Sequence, residues 1–224
     1  MGAGLEYCLG GVMNILLVDD HAVVRQGYAS LLRVLMPDLQ VREAATGEEA
    51  LSQVQEQVPH LVIMDFGLPG ISGLETTRRL RQRLPQLRVL FFSMHDELPL
   101  VRQALDAGAA GYLTKNSAPQ VLVEAVRRVL AGHVYIEQSL ATQLACTSSR
   151  QDVDPRLQCM TQRELEIFVM LAKGTPARTI AEQLCISAKT VSNHLTLLKS
   201  KLQVSSHAEL VHLGIDMGVV RVAG

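Results

Sequence analysis

The sequence predicts two folded units in tandem: an α/β domain, a doubly wound sheet of five parallel strands, and then a small all-α domain. Three observations carry this. Short apolar runs alternate with helical spacing as far as residue 134, the chain then turns polar and aperiodic before Asp154-Pro155, and only helical patterns follow. At 224 residues there is room for two modest domains. Apolar content of 48% with only 4% aromatic residues makes the expected cores aliphatic.

The apolar runs are ILLVD (15–19), VREAA (41–45), LVIMD (61–65), RVLFFS (88–93) and GYLTK (111–115). Segments with helical spacing separate them. Two of these open with a capping box, Thr46-Gly-Glu-Glu49 and Ser72-Gly-Leu-Glu75, each with a hydroxyl at the N-cap and a carboxylate three residues later. Right-handed crossovers bring the C-terminal ends of such strands to one edge of the sheet. Within EQSLATQLACTSSRQDVDPRLQ (137–158), the first half can continue a helix and the second reads as a linker. The expected boundaries are a disordered extension (1–13), the α/β domain (14–134), a linker (135–157) and the helical domain (158–224). Met13 is an alternative translation start, because nothing before it carries a fold signal.

Several function classes are excluded early. No apolar run approaches the ~20 residues that span a bilayer, and MGAGLEYCLGGVM lacks the basic start of a signal peptide. Cys8, Cys146, Cys159 and Cys185 are scattered and read as reduced thiols of a cytoplasmic protein. The seven histidines lack metal-ligand spacing. The net charge of −1 divides into −4 over residues 1–155 and +3 over 156–224, so the two parts are expected to meet different partners.

An acidic site emerges at the strand ends. Asp19 and Asp20 stand side by side directly after an apolar strand, where paired negative charge resists desolvation and needs compensation. Asp65 ends the third strand, Ser93 the fourth and Lys115 the fifth, all on the same edge. Hard oxygen ligands of this kind suit Mg²⁺, which offsets the repulsion within the pair and leaves Asp65 able to react.

The helical domain opens with the capping box Thr161-Gln-Arg-Glu164, followed by an apolar face of Leu165, Phe168, Val169, Leu171 and Ala172 and a Lys173-Gly174 stop. A short helix over Arg178–Leu184 comes next. Ser187 then caps a third, whose inward stripe is Val191, Leu195, Leu198 and Leu202. Its opposite face carries Lys189, Ser192, Asn193, Thr196 and Lys199. That is the pattern of a helix-turn-helix, with amide and hydroxyl groups for base edges and ammonium groups for phosphates. A last helix, opened by Ser206-His-Ala-Glu209, carries Leu210, Val211 and Leu213-Gly214 for a dimer contact or for core packing.

LLVDDH, VIMDFGLPGISG, FFSMH and GAAGYLTK resemble the receiver domain of two-component response regulators. TQRELEI, LAKG, TIAEQLCISAKTVSNHL and KLQV resemble the LuxR-type helix-turn-helix of the NarL/FixJ family. The resemblance implies that Asp65 accepts a phosphoryl group from a cognate histidine kinase. It also implies that Asp19, Asp20, Asp65 and the Gly67 backbone carbonyl hold Mg²⁺. Ser93 and Lys115 would contact the phosphoryl oxygens, and Tyr112 would be the aromatic switch. The C-terminal domain would then bind DNA as a homodimer and control transcription, with no enzymatic turnover. The chain departs from the family at Ser192, often lysine, at His207, usually arginine, and at Pro176, normally serine. Those departures weaken three expected contacts and should flatten the salt dependence of DNA binding. Two other classes compete: a phosphatase with an aspartyl nucleophile, disfavoured because Asp19-Asp20 is not Asp-x-Asp, and a protein-interaction regulator without DNA.

Overall fold

The computed structural model describes residues 13–148, 154–158, 160–184 and 186–220. The expected N-terminal extension, apart from Met13, lies outside the described residues, as do Cys8, Cys159 and Cys185. The first domain alternates strand and helix: β1 (Met13–Val18), α1 (Ala22–Leu35), β2 (Leu39–Ala44), α2 (Gly47–Glu56), β3 (Leu61–Met64), α3 (Gly73–Arg83), β4 (Arg88–Ser93), α4 (Leu98–Asp106), β5 (Gly111–Thr114) and α5 (Pro119–Leu130). β6 (Tyr135–Ile136) and α6 (Gln138–Ser148) follow, and then α7 (Pro155–Gln158), α8 (Gln162–Ala172), α9 (Ala177–Gln183), α10 (Ala188–Leu202) and α11 (His207–Asp216).

All strand pairings are parallel, in the order β2-β1-β3-β4-β5-β6. The period-2 alternation of the apolar runs sends side chains to two cores. Leu16, Val18, Val62, Met64, Val89, Phe91 and Tyr112 face one side of the sheet. Ile15, Leu17, Leu61, Ile63, Leu90, Phe92 and Leu113 face the other, where α1 and α5 supply Leu32, Val126 and Val129. The sheet has six strands where the sequence predicts five. β6 is two residues long, too short for alternation to be visible, and it exists only because the outer edge of β5 offers it hydrogen bonds. The stretch expected as a linker from 135 thus opens with β6 and α6, and Leu140 and Leu144 of α6 pack into the first core.

The caps form as the spacing predicts. Thr46, Ser72, Thr161, Ser187 and Ser206 each accept an N–H from the residue three further on, and Thr161 with Glu164 completes a reciprocal box. In the second domain α8 packs against α10 and α11, with Leu165, Phe168, Val191, Leu198 and Leu210 fully or almost fully buried. Leu210 and Gly214 therefore turn toward α8, whereas Val211 and Leu213 are half-buried. The core cluster on the α2–α4 side of the sheet continues without a break into this domain.

Candidate functional site

Strand order decides which strand ends are neighbours, and β1, β3, β4 and β5 lie side by side. Asp19 and Asp65 follow directly on β1 and β3, Ser93 ends β4, and Lys115 follows β5. Each loop leaves the sheet at the same edge, so these four turns form one basin. The Lys115 ammonium sits between two carboxylates, 2.6 Å from Asp19 Oδ2 and 2.6 Å from Asp65 Oδ2. The other oxygens are also engaged: Asp19 Oδ1 accepts the His21 N–H at 2.8 Å and Asp65 Oδ1 the Phe66 N–H at 2.7 Å. Asp20 Oδ1 lies 2.7 Å from His21 Nδ1. Ligand atoms of Asp19, Asp20, His21 and Asp65 all fall within 4.8 Å of one another, a spacing that can hold a metal ion. His21 joins the cluster as the residue directly after Asp19 and Asp20. Its position beside the aspartates has no motif spacing, so histidine spacing alone missed it.

Burial sets the electrostatics. It raises the pKa of the Asp65 carboxyl; Lys115 pulls it down and Asp19 pushes it up, for a net upward shift. For Lys115, burial works downward, but the attraction of Asp65 and Asp19 outweighs it and the ammonium is held more firmly. A cation is therefore already stabilised where paired carboxylates require one. Gly67 stands at the rim, half-buried, and a side chain there would meet no atom within 4 Å. Gly73 is the opposite case: its Cβ would lie 1.8 Å from the Asp65 carbonyl, so only glycine lets α3 start this close to the acidic strand end.

Ser93 is buried, and its Oγ accepts the His95 N–H at 3.3 Å. Tyr112 is fully buried, stacked on Phe91 with centroids 6.1 Å apart, and its hydroxyl donates to the His95 carbonyl at 2.9 Å. Two residues further on, Glu97 pairs with His95 Nδ1 at 3.3 Å and is in contact with the ammonium of Lys173, at the C-terminal end of α8. Burial would raise the Glu97 carboxyl, but His95 and Lys173 hold it down at about 2. A second bridge joins the Ser72 hydroxyl to the Gln162 side chain. The helical domain thus rests on the two loops that leave the acidic basin. Nothing in the sequence pairs residue 97 with residue 173, since local patterns do not encode contacts across domains.

On α10, Lys189, Ser192, Asn193 and Thr196 are exposed and Lys199 is half-buried. Ser192 and Thr196 donate their hydroxyl protons to the Ala188 and Ser192 carbonyls, leaving the oxygen lone pairs outward.

Residues 15–127 match the response regulator receiver domain, and residues 158–214 match the bacterial regulatory proteins of the luxR family. The chain is 71% identical over 213 residues to the transcriptional activator protein ExaE of Pseudomonas putida, covering 94% of this chain and all of that protein. It belongs to the NarL/FixJ family of two-component response regulators. Response regulator UvrY of Escherichia coli is 37% identical over 209 residues, covering 93% of the regulator and 96% of UvrY. A LuxR-family response regulator from Aurantimonas sp. SI85-9A1 superposes with a TM-score of 0.60 at 39% identity, over 62% of the regulator and all of that chain. RcsB, solved as two dimers bound to two parallel DNAs, superposes with a TM-score of 0.59 over 89% of the regulator and 96% of its own chain; at 23% identity this speaks for the fold alone. The regulator joins a receiver to a LuxR-type DNA-binding domain, and its family consists of transcription factors rather than enzymes, which removes the phosphatase alternative. Among the described residues no helix is long and apolar enough to cross a membrane.

Proposed function

We propose that the protein works in the cytoplasm, that Asp65 accepts a phosphoryl group from a cognate sensor histidine kinase, and that this controls DNA binding by the face of α10. The observation that carries the reading is the Lys115 ammonium, 2.6 Å from both Asp19 and Asp65 at the mouth of a buried acidic basin. An Asp65 oxygen bonds to phosphorus as the bond to the kinase histidine nitrogen breaks. Catalysis is then mostly positioning and charge neutralisation. Asp19, Asp20, Asp65 and the Gly67 carbonyl suit Mg²⁺, which would supply hard positive charge against carboxylate and phosphoryl oxygens. Lys115 lies close enough to follow the new charge, about −1.5 to −2. The Ser93 hydroxyl faces the same edge and can donate to a phosphoryl oxygen. Its movement toward the phosphoryl group changes the cavity around Tyr112, and the Tyr112–His95 bond links that cavity to the loop holding Lys173.

Lys189 and Lys199 suit phosphates, while Ser192, Asn193 and Thr196 suit base edges. A homodimer on a two-fold site is the simplest assembly for a domain of this kind. The functional units are residues 14–134 and 158–224, with 135–157 between them. An Asp65→Asn protein should lose phosphorylation and promoter activation together. Activation at the wild-type level by that variant, under inducing conditions, contradicts the proposal.

A further inference from the structure

Glu137 lies between β6 and α6, beyond the residues matched to the receiver family. Its N–H donates to the Tyr112 carbonyl at 3.1 Å and extends the β5–β6 ladder. The next donor on β5, the Thr114 N–H, would meet the Glu137 carbonyl if the strand went on. α6 begins at Gln138 instead, and the Glu137 side chain takes that bond, with Oε2 3.0 Å from the Thr114 nitrogen. The Thr114 and Ser117 hydroxyls donate to the same oxygen at 2.8 Å each, and Ser139 donates to Oε1 at 3.2 Å. One carboxylate therefore gathers four donors, and three of them flank Lys115 within two residues.

On the inner side, the Lys115 N–H donates to the Ser93 carbonyl at 2.8 Å. The end of β5 is thus held by β4 on one side and on the other by a side chain that substitutes for a strand. Burial acts to raise the Glu137 carboxyl, but its hydrogen bonds to Thr114, Ser117 and Ser139 lower it overall, so it is an ionised acceptor at neutral pH.

We propose that Glu137 is a positioning residue for phosphoryl transfer: it fixes the end of β5 and with it the reach of the Lys115 ammonium to the group on Asp65. The inference rests on Asp65 being the acceptor. Glu137 touches none of the acidic side chains, so its influence is confined to where Lys115 stands. Misplacement of a catalytic group by a fraction of an ångström lowers the rate without lowering affinity for the reactants.

The test uses the full-length protein with Mg²⁺ and acetyl phosphate as the donor, and follows the phosphorylated form on phosphate-affinity gels. Glu137→Gln, which presents an amide to a cluster of donors, should lower the maximal phosphorylation rate about tenfold. The half-saturating acetyl phosphate concentration should be unchanged, and that of Mg²⁺ should not rise. Ser117→Ala, which removes one donor, should slow the reaction by about twofold, and Glu137→Asp should recover part of the loss. A wild-type maximal rate in Glu137→Gln overturns the inference. So does a loss of Mg²⁺ affinity and thermal stability in step with the rate, in both variants. If Glu137→Gln does not fold, Ser117→Ala decides alone: a slower rate supports the inference and an unchanged rate ends it. Absence of phosphorylation on Asp65 in the wild-type protein overturns the underlying assignment instead.

Discussion

Replacing Lys115 with methionine separates the two charges that the acidic basin balances. The Lys115, Asp19 and Asp65 side chains are 6%, 2% and 8% exposed, so water cannot substitute for the lost ammonium. Removing one partner of a buried pair costs about 3–5 kcal/mol, because the charge left behind stays desolvated. Asp65 can escape part of this by taking a proton, since its pKa is already raised. The lower end, about 3 kcal/mol, is therefore expected at neutral pH, or roughly 10 °C in the melting of a domain of this size. Metal reverses the effect. In saturating Mg²⁺ the ion supplies the missing charge, the loss should shrink to below about 1 kcal/mol, and the variant should bind Mg²⁺ more tightly than wild type. The pH trend follows from the raised Asp65 pKa: the penalty is largest where Asp65 is ionised and fades as pH falls through its folded value. Calorimetric melts in EDTA and in Mg²⁺ measure both states. Equal destabilisation in the two buffers would refute the reasoning, as would none in EDTA.

Other outcomes follow from single contacts. Gly73→Ala forces a Cβ to within 1.8 Å of the Asp65 carbonyl, so it should shift that strand end and lower Asp65 phosphorylation by at least tenfold, while circular dichroism keeps the helical signal. Lys173→Ala removes a cation held by Glu97 and 3.7 Å from Asp96; small-angle scattering should show a larger radius of gyration, and gel shifts tighter DNA binding without phosphate. For His95, burial works to lower the pKa, but Glu97, Glu166 and Asp65 raise it overall above 6.5. Its contribution to stability is full below 6.5 and lost as pH rises through the folded value, so wild-type melting should fall over that window more than that of His95→Gln. The Glu97 contribution is full above 4.5 and lost as pH falls toward about 2, which Glu97→Gln should abolish in acid melts.

What was legible in the sequence is what local chemistry encodes. Alternating apolar runs, hydroxyl-to-glutamate caps and carboxylates at strand ends all have periods shorter than a helix, and Asp19, Asp20, Asp65, Ser93 and Lys115 do meet at one edge. β6 escaped notice because two residues carry no periodicity and the edge of β5 alone creates the strand. Glu137 and the Glu97–Lys173 pair escaped for another reason. Each depends on a partner that only the folded chain brings near, and Ser72–Gln162 spans 90 positions. Capping boxes at Ser72 and Thr161 are visible in the sequence, but that one hydroxyl would also meet the turn opening the second domain is not.

Exposure of Lys189, Ser192, Asn193 and Thr196 does not by itself make α10 able to read DNA. A helix with its side chains is about 10–12 Å across and the major groove about 12 Å wide, so a recognition helix fills the groove and its flanks meet the phosphate walls. In the docked arrangement one flank faces the receiver: Thr190 and His194 line a cleft of about 880 Å³ shared with Leu68–Ser72, Arg102 and Gln103 of the receiver. The groove wall and the receiver would need the same space. If α10 is the DNA-reading helix, docking would oppose DNA binding by occupying the side of the helix rather than by covering its base-reading face. Both bridges that hold it there, Glu97–Lys173 and Ser72–Gln162, arise from the loops that follow Ser93 and Asp65. A charge placed on Asp65 would act on the roots of both loops at once, a short mechanical route in this fold from an acyl phosphate to a freed helix.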